Sequence, residues 1–245
     1  PVIINYPTET AEMAGVAKHI MELIEEDTNP AEIAVIYREH RQVENLVKFF
    51  KQKEIPVSLQ RKIDVLKEPF TQHLITLLNY IKTQVDRPHS NDDLLFQLFH
   101  IDFLGFGPPV EAARFMARWQ KTPKTRGNIN SLRAALETIA NPEKPNLFSG
   151  LSDFEKSASK LSDMINHWVP ACANKTLLQF FEDVITRSGA LKFALHHPER
   201  NLYLQQIHAL HNYITIEEHK APGLNIARFM QSLELMAEYN ICLLY

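Results

Sequence analysis

Ile33-Ala34-Val35-Ile36-Tyr37, IAVIY, is a run of five apolar residues between Glu32 and Arg38. A short, continuous and β-branched run predicts a strand buried on both faces, the pattern of a parallel sheet. Ahead of it, after an extended lead over Val2 to Tyr6, the stretch Thr10 to Glu26 sets Met13, Val16, Ala17, Ile20, Leu23 and Ile24 at helical spacing, with acids on the other face. Asn29 and Pro30 end that helix. Behind the run, a polar turn from Arg38 to Arg41 leads to Leu46, Val47, Phe49 and Phe50, which continue as a helix to Lys53. Ile55 to Leu59 reads as a second strand after the Pro56 break. Strand, helix, strand is a βαβ-like pattern. Two strands and one covering helix do not make a stable sheet, so the remaining strands are expected outside this chain.

Beyond this piece the period changes. Pro69 sits where a first-turn proline is tolerated, and Phe70, Leu74, Leu77, Leu78 and Ile81 carry a helix towards Gln84. The polar stretch Asp86 to Asp93, DRPHSNDD, reads as a linker, and a protease is expected to cut there first if it is a hinge. Helical spacing then dominates: Leu94 to His100, Val110 to Gln120, Ile129 to Ala140, Phe154 to Val169, Leu177 to Ser188, Asn201 to Glu218 and Asn225 to Tyr239. The expected fold class is mainly α, an incomplete α/β part over residues 1–85 followed by an all-helical part over 86–245.

Composition agrees. With 45% hydrophobic and 22% charged residues the chain is neither disordered nor a membrane span. Only 7 glycines leave little material for hairpins or Gly-rich phosphate loops. Cys172 and Cys242 form no CxxC, which favours a reducing compartment, and the cytoplasm is the expected location. No GxSxG, HExxH or GxxxxGK[ST] occurs, so serine hydrolase, zincin and P-loop chemistry lack their central residues. His208 and His211, at i and i+3, are the best metal-like pair, but without a partnering Glu or Cys they read as structural, and no metal site is expected. The chain starts at Pro1 and stops in an apolar run, and is expected to be a segment of a longer protein.

The net charge of −3 hides a segregated distribution. Pro1 to Glu32 holds seven acids and one base; Ala112 to Leu136 holds Arg114, Arg118, Lys121, Lys124, Arg126 and Arg133 with no acid. Phosphate attraction to such a run dominates nucleic-acid affinity. Just ahead lies Leu104 to Pro109, LGFGPP, where the turn Gly105-Phe106-Gly107 entering a helix could offer N–H groups to a phosphate or simply join two helices. Pro108 and Pro109 remove two donors there. Trp119 could stack on a base, though core packing is the commoner role at its spacing. Arg38 and Arg41 follow the first strand at its carboxyl end, where ligands of open α/β sheets collect.

Taken as an ordered set, AEIAVIYREHRQ (Ala31 to Gln42), the following helix, EIPVSLQ (Glu54 to Gln60) and the Pro69 to Ile81 helix resemble the second motor domain, 2A, of UvrD/Rep/PcrA-type superfamily 1 helicases. DDLLFQLFHIDFLGFG (Asp92 to Gly107) is similar to the opening of the helical 2B subdomain inserted into that domain, and Thr176 to Tyr239 resembles its end. The resemblance implies a RecA-like N-terminal part and an ATP-dependent DNA helicase that translocates 3′ to 5′ on single-stranded DNA, using ATP and Mg²⁺ held outside these residues. It implies that the segment itself binds no cofactor and is inactive alone, and that its partners are DNA at a single-strand/duplex junction and the rest of the helicase chain, with no membrane. Arg38 and Arg41 are then expected near the nucleotide phosphates; Gly105, Phe106, Gly107, Arg114, Arg118, Lys121, Lys124 and Arg126 are expected on the duplex side. The same region of a RecB/AddA-type helicase-nuclease, or a non-catalytic helical scaffold docking an acidic protein, are the alternatives.

Overall fold

The computed structural model describes residues 3–37, 46–50, 52–55, 57, 64–121, 131–140 and 152–244. They divide into two compact units, 1–62 and 63–245.

In the first unit, helix α1 (Glu9–Glu25) starts at Thr8, whose hydroxyl accepts from the Ala11 amide at 3.1 Å, and its first turn carries Glu9 and Glu12 at the positive end of the helix dipole. Asp27, at φ +65°, ends it. The Asn29 side chain then caps a 3₁₀ turn, Pro30–Glu32. Ala17 and Ile20 of α1 pack on Leu46 and Phe50 of helix α2 (46–50), with Met13, Val16, Ile24 and Ile33 around them. Ile33 to Tyr37 carry no strand pairing; Ile36 is 97% exposed. Among the described residues no strand forms in this unit. Ile33–Tyr37 is open backbone beside α1, because a parallel strand exists only against another strand. Of the expected second strand, only Ile55 and Val57 lie within the described residues.

The second unit is helical: α3 (Pro69–Asp86), α4 (Asp92–Leu98), α5 (Pro109–Lys121), α6 (Leu132–Ala140), α7 (Asp153–Asn174), α8 (Leu177–Arg187), α9 (Ala190–His196), α10 (Arg200–Lys220) and α11 (Ile226–Glu238). Leu74, Leu77, Leu78 and Ile81 of α3 run through one core with Trp168 of α7, Phe180 and Phe181 of α8 and Phe229 of α11. Capping boxes Ser152/Glu155 and Thr176/Gln179 start α7 and α8. Gly189, at φ +87°, breaks the line into α9; a Cβ there would meet the Phe103 carbonyl at 3.1 Å.

Where the chain enters and leaves this unit it pairs with itself. The Val65 amide donates to the Leu243 carbonyl at 2.9 Å, and the Asp64 carboxylate accepts from the Leu243 amide at 3.2 Å and the Leu66 amide at 3.3 Å. Asp64 and Leu244 form an isolated antiparallel bridge.

The stretch expected to be a linker is tied down. The Gln84 side chain accepts from the His89 amide at 2.9 Å and donates to the Ser90 carbonyl at 2.7 Å, while Asp92 accepts from the Leu132 amide at 2.9 Å. His89 and Asn91 take left-handed φ values of +61° and +66° to make the turn.

Candidate nucleic-acid interface

Between α4 and α5 the chain makes a 3₁₀ turn, Asp102–Leu104, closed by Gly105 in the left-handed region at φ +72°. Gly107 repeats that conformation at φ +76°. Glycine suits both positions because a Cβ is penalised at positive φ. Between them Phe106 turns inward, 3% exposed, with its ring 4.8 Å from that of Phe99 and 5.2 Å from that of Phe154. One buried ring thus anchors two exposed glycines. The Ser157 hydroxyl of α7 fixes the turn from behind, donating to the Gly105 carbonyl at 2.7 Å. The Gly105 amide already donates to the Asp102 carbonyl at 3.0 Å, so it is not offered to a ligand.

The helix that follows is two-faced. Ala112, Phe115, Met116 and Trp119 of α5 pack on the core, while Arg114 and Arg118, one turn apart, lie on the exposed face. Arg114 makes an ion pair with Glu111 at 2.6 Å. Lys121 is the last residue of α5. Lys124 and Arg126, like Arg38 and Arg41, lie outside the described residues.

Arg133 does not belong to this surface. It is 4% exposed, its Nε pairs with Glu137 at 3.0 Å, and its Nη2 donates to Asn166 of α7. The acid-free run therefore mixes surface cations with one core guanidinium, a distinction that spacing alone does not draw. Glu137 begins the next turn of the same helix, just past the end of the run. Sequence reasoning also missed Ser157, which lies 52 residues from the carbonyl it holds and carries no local signal.

The histidines divide as single contacts. His211 Nε2 is 3.2 Å from Glu182, and His208 pairs with Asn212 at 3.0 Å. Among the described residues no three of His, Cys, Asp and Glu are grouped to hold a metal, and no helix is long and apolar enough to cross a membrane.

Residues 1–91 match the UvrD-like helicase C-terminal domain. The similarity runs from α1 through α3 to the turn before α4. No curated protein matches the chain.

Proposed function

We propose that the chain is the insertion-bearing region of an ATP-dependent, UvrD-like DNA helicase. On this reading residues 1–85 contribute part of the second RecA-like motor domain, 2A. Residues 86–245 form a 2B-like helical subdomain that positions DNA at a single-strand/duplex junction. The match over residues 1–91 carries the proposal. Two features support it. Arg114 and Arg118 share an exposed helix face behind the glycine turn, and the Asp64–Leu243 pairing brings the chain back to where it enters the helical unit of residues 63–245.

The whole enzyme would be cytoplasmic, with ATP and Mg²⁺ as cofactors and DNA and the remaining helicase chain as partners, and it would move 3′ to 5′ along single-stranded DNA. The present residues do not supply a nucleotide seat, since the sequence has no P-loop. No catalytic step is assigned to them. Their role is to bind and orient DNA phosphates through Arg114, Arg118, Lys121, Lys124 and Arg126, while Arg38 and Arg41 lie on the motor side.

Fluorescence anisotropy with duplex, tailed duplex and single-stranded DNA across a salt series tests this. The expected result is a preference for duplex-containing DNA. In the Arg114→Ala/Arg118→Ala/Lys121→Ala variant the salt slope should shrink by about one for each phosphate that the protein no longer neutralises. Absence of binding at low salt would remove the duplex role of the helical unit.

A further inference from the structure

Ser157, whose hydroxyl donates to the Gly105 carbonyl at 2.7 Å, marks where α7 meets the glycine turn. Phe154, three residues earlier on α7, packs on Phe106 of that turn and on Phe115 of α5, with ring centroids 5.2 Å apart in each pair. The start of α7 is therefore fixed against both the turn and the basic helix behind it. Lys160 follows Ser157 by three residues and is exposed; residues three apart are neighbours on a helix surface. Cα–Cβ bonds tilt towards the helix N-terminus, so the long side chain at 160 covers the turn of α7 that carries Ser157.

Charge singles this lysine out. Arg114 of α5 is held by Glu111 at 2.6 Å, and Lys156 of α7 by Asp153 at 2.9 Å, whereas Lys160 has no carboxylate within ion-pair reach among the described residues. A paired cation must give up its acid to reach a phosphate; an unpaired one only exchanges its counterion. The backbone of the turn is bare as well. A Cβ at Gly107 would meet nothing within 4 Å, and one at Gly105 only the Ser157 hydroxyl at 3.9 Å. A point charge beside open glycine backbone suits a phosphodiester chain, which can lie close against it.

We infer that Lys160 is a further phosphate contact of the helical unit, carrying the DNA path from the glycine turn onto α7. This rests on the duplex-binding role proposed above and adds a residue outside the acid-free run. Charge patterning hides it, because Asp153, Glu155, Lys156, Lys160 and Asp163 mix both signs.

Anisotropy of the full chain with a tailed duplex across a salt series tests it, using Lys160→Ala and Lys160→Arg. Lys220→Ala controls for the loss of one charge; Lys220 is exposed on α10 and pairs with Glu217 at 2.8 Å. Lys160→Ala should weaken binding about five-fold at low salt and lower the salt slope by about one. Lys160→Arg should restore both, and Lys220→Ala should change neither. The inference is overturned, with the duplex role left standing, if Lys160→Ala binds as the parent does while the Arg114→Ala/Arg118→Ala/Lys121→Ala variant loses slope. It is equally overturned by a loss that Lys220→Ala matches or that Lys160→Arg does not restore. A parent chain that binds no duplex at low salt removes both the inference and the reading it rests on.

Discussion

Phe106 and Arg114 lie eight residues apart in one basic, glycine-flanked stretch, yet the structure gives them opposite work. Phe106→Ala should cost about 3–5 kcal/mol of stability, because its ring fills the space between Phe99 and Phe154. Arg114→Ala should cost under about 0.5 kcal/mol and weaken DNA binding instead. Thermal unfolding and anisotropy on the same two variants separate these outcomes. Asp183 shows what sequence did not reveal at this scale. Its carboxylate takes Arg187 Nε at 2.9 Å, Lys175 at 3.2 Å, and His167 and the Trp168 indole N–H at 3.1 Å each. Burial works to raise its pKa, but the bonds from Arg187 and Lys175 prevail and hold it below the usual carboxylate range. A carboxyl depressed in the folded state contributes stability above its unfolded value of about 4, and that contribution is lost as pH falls through the folded value. Asp183→Asn should therefore lower the melting temperature at pH 7 by about 2–4 °C, and the gap should close as pH falls below the usual carboxylate range. Trp168 fluorescence reports the transition directly. The Asp183 partners come from α7, from α8 and from Lys175 between them, and nothing in their spacing announces a shared carboxylate.

At the level of elements the helices are legible in the sequence. Periodicity places α1, α3, α5, α8 and α11 to within a residue or two, because each lays one apolar stripe on the core. Two boundaries are not legible. α7 continues through Pro170 to Asn174, where packing of Trp168 and Ala171 holds the helix past a proline that would ordinarily end it. The short α9 escapes a periodicity reading because Gly189 makes a turn and a new helix within a few residues. The strand expected at Ile33 to Tyr37 does not form among the described residues, where no other strand stands beside it: an apolar run alone does not make a ladder. The Asp86 to Asp93 stretch is polar for a reason other than mobility: its side chains fold back to close the turn. Gln84→Ala should open it, and limited proteolysis with a broad-specificity protease should then cut between Arg87 and Asn91 well before it does in the parent chain.

For the molecule as a whole, the two units differ in how complete they are. The helical unit closes one core, whereas the first unit leaves Ile3 88% and Ile36 97% exposed. Bare apolar backbone invites pairing between copies. Ile36→Lys should reduce concentration-dependent association of the chain, read by light scattering at constant salt. The change from strand-like to helical period is visible in the sequence. The pairing of Asp64 with Leu243 is not, since it joins residues 179 positions apart. That pairing makes residues 64–243 a portable module. A host protein needs only the tip of one β-hairpin, whose two arms already stand about 5 Å apart, to accept the whole helical unit as a graft without stretching its own backbone.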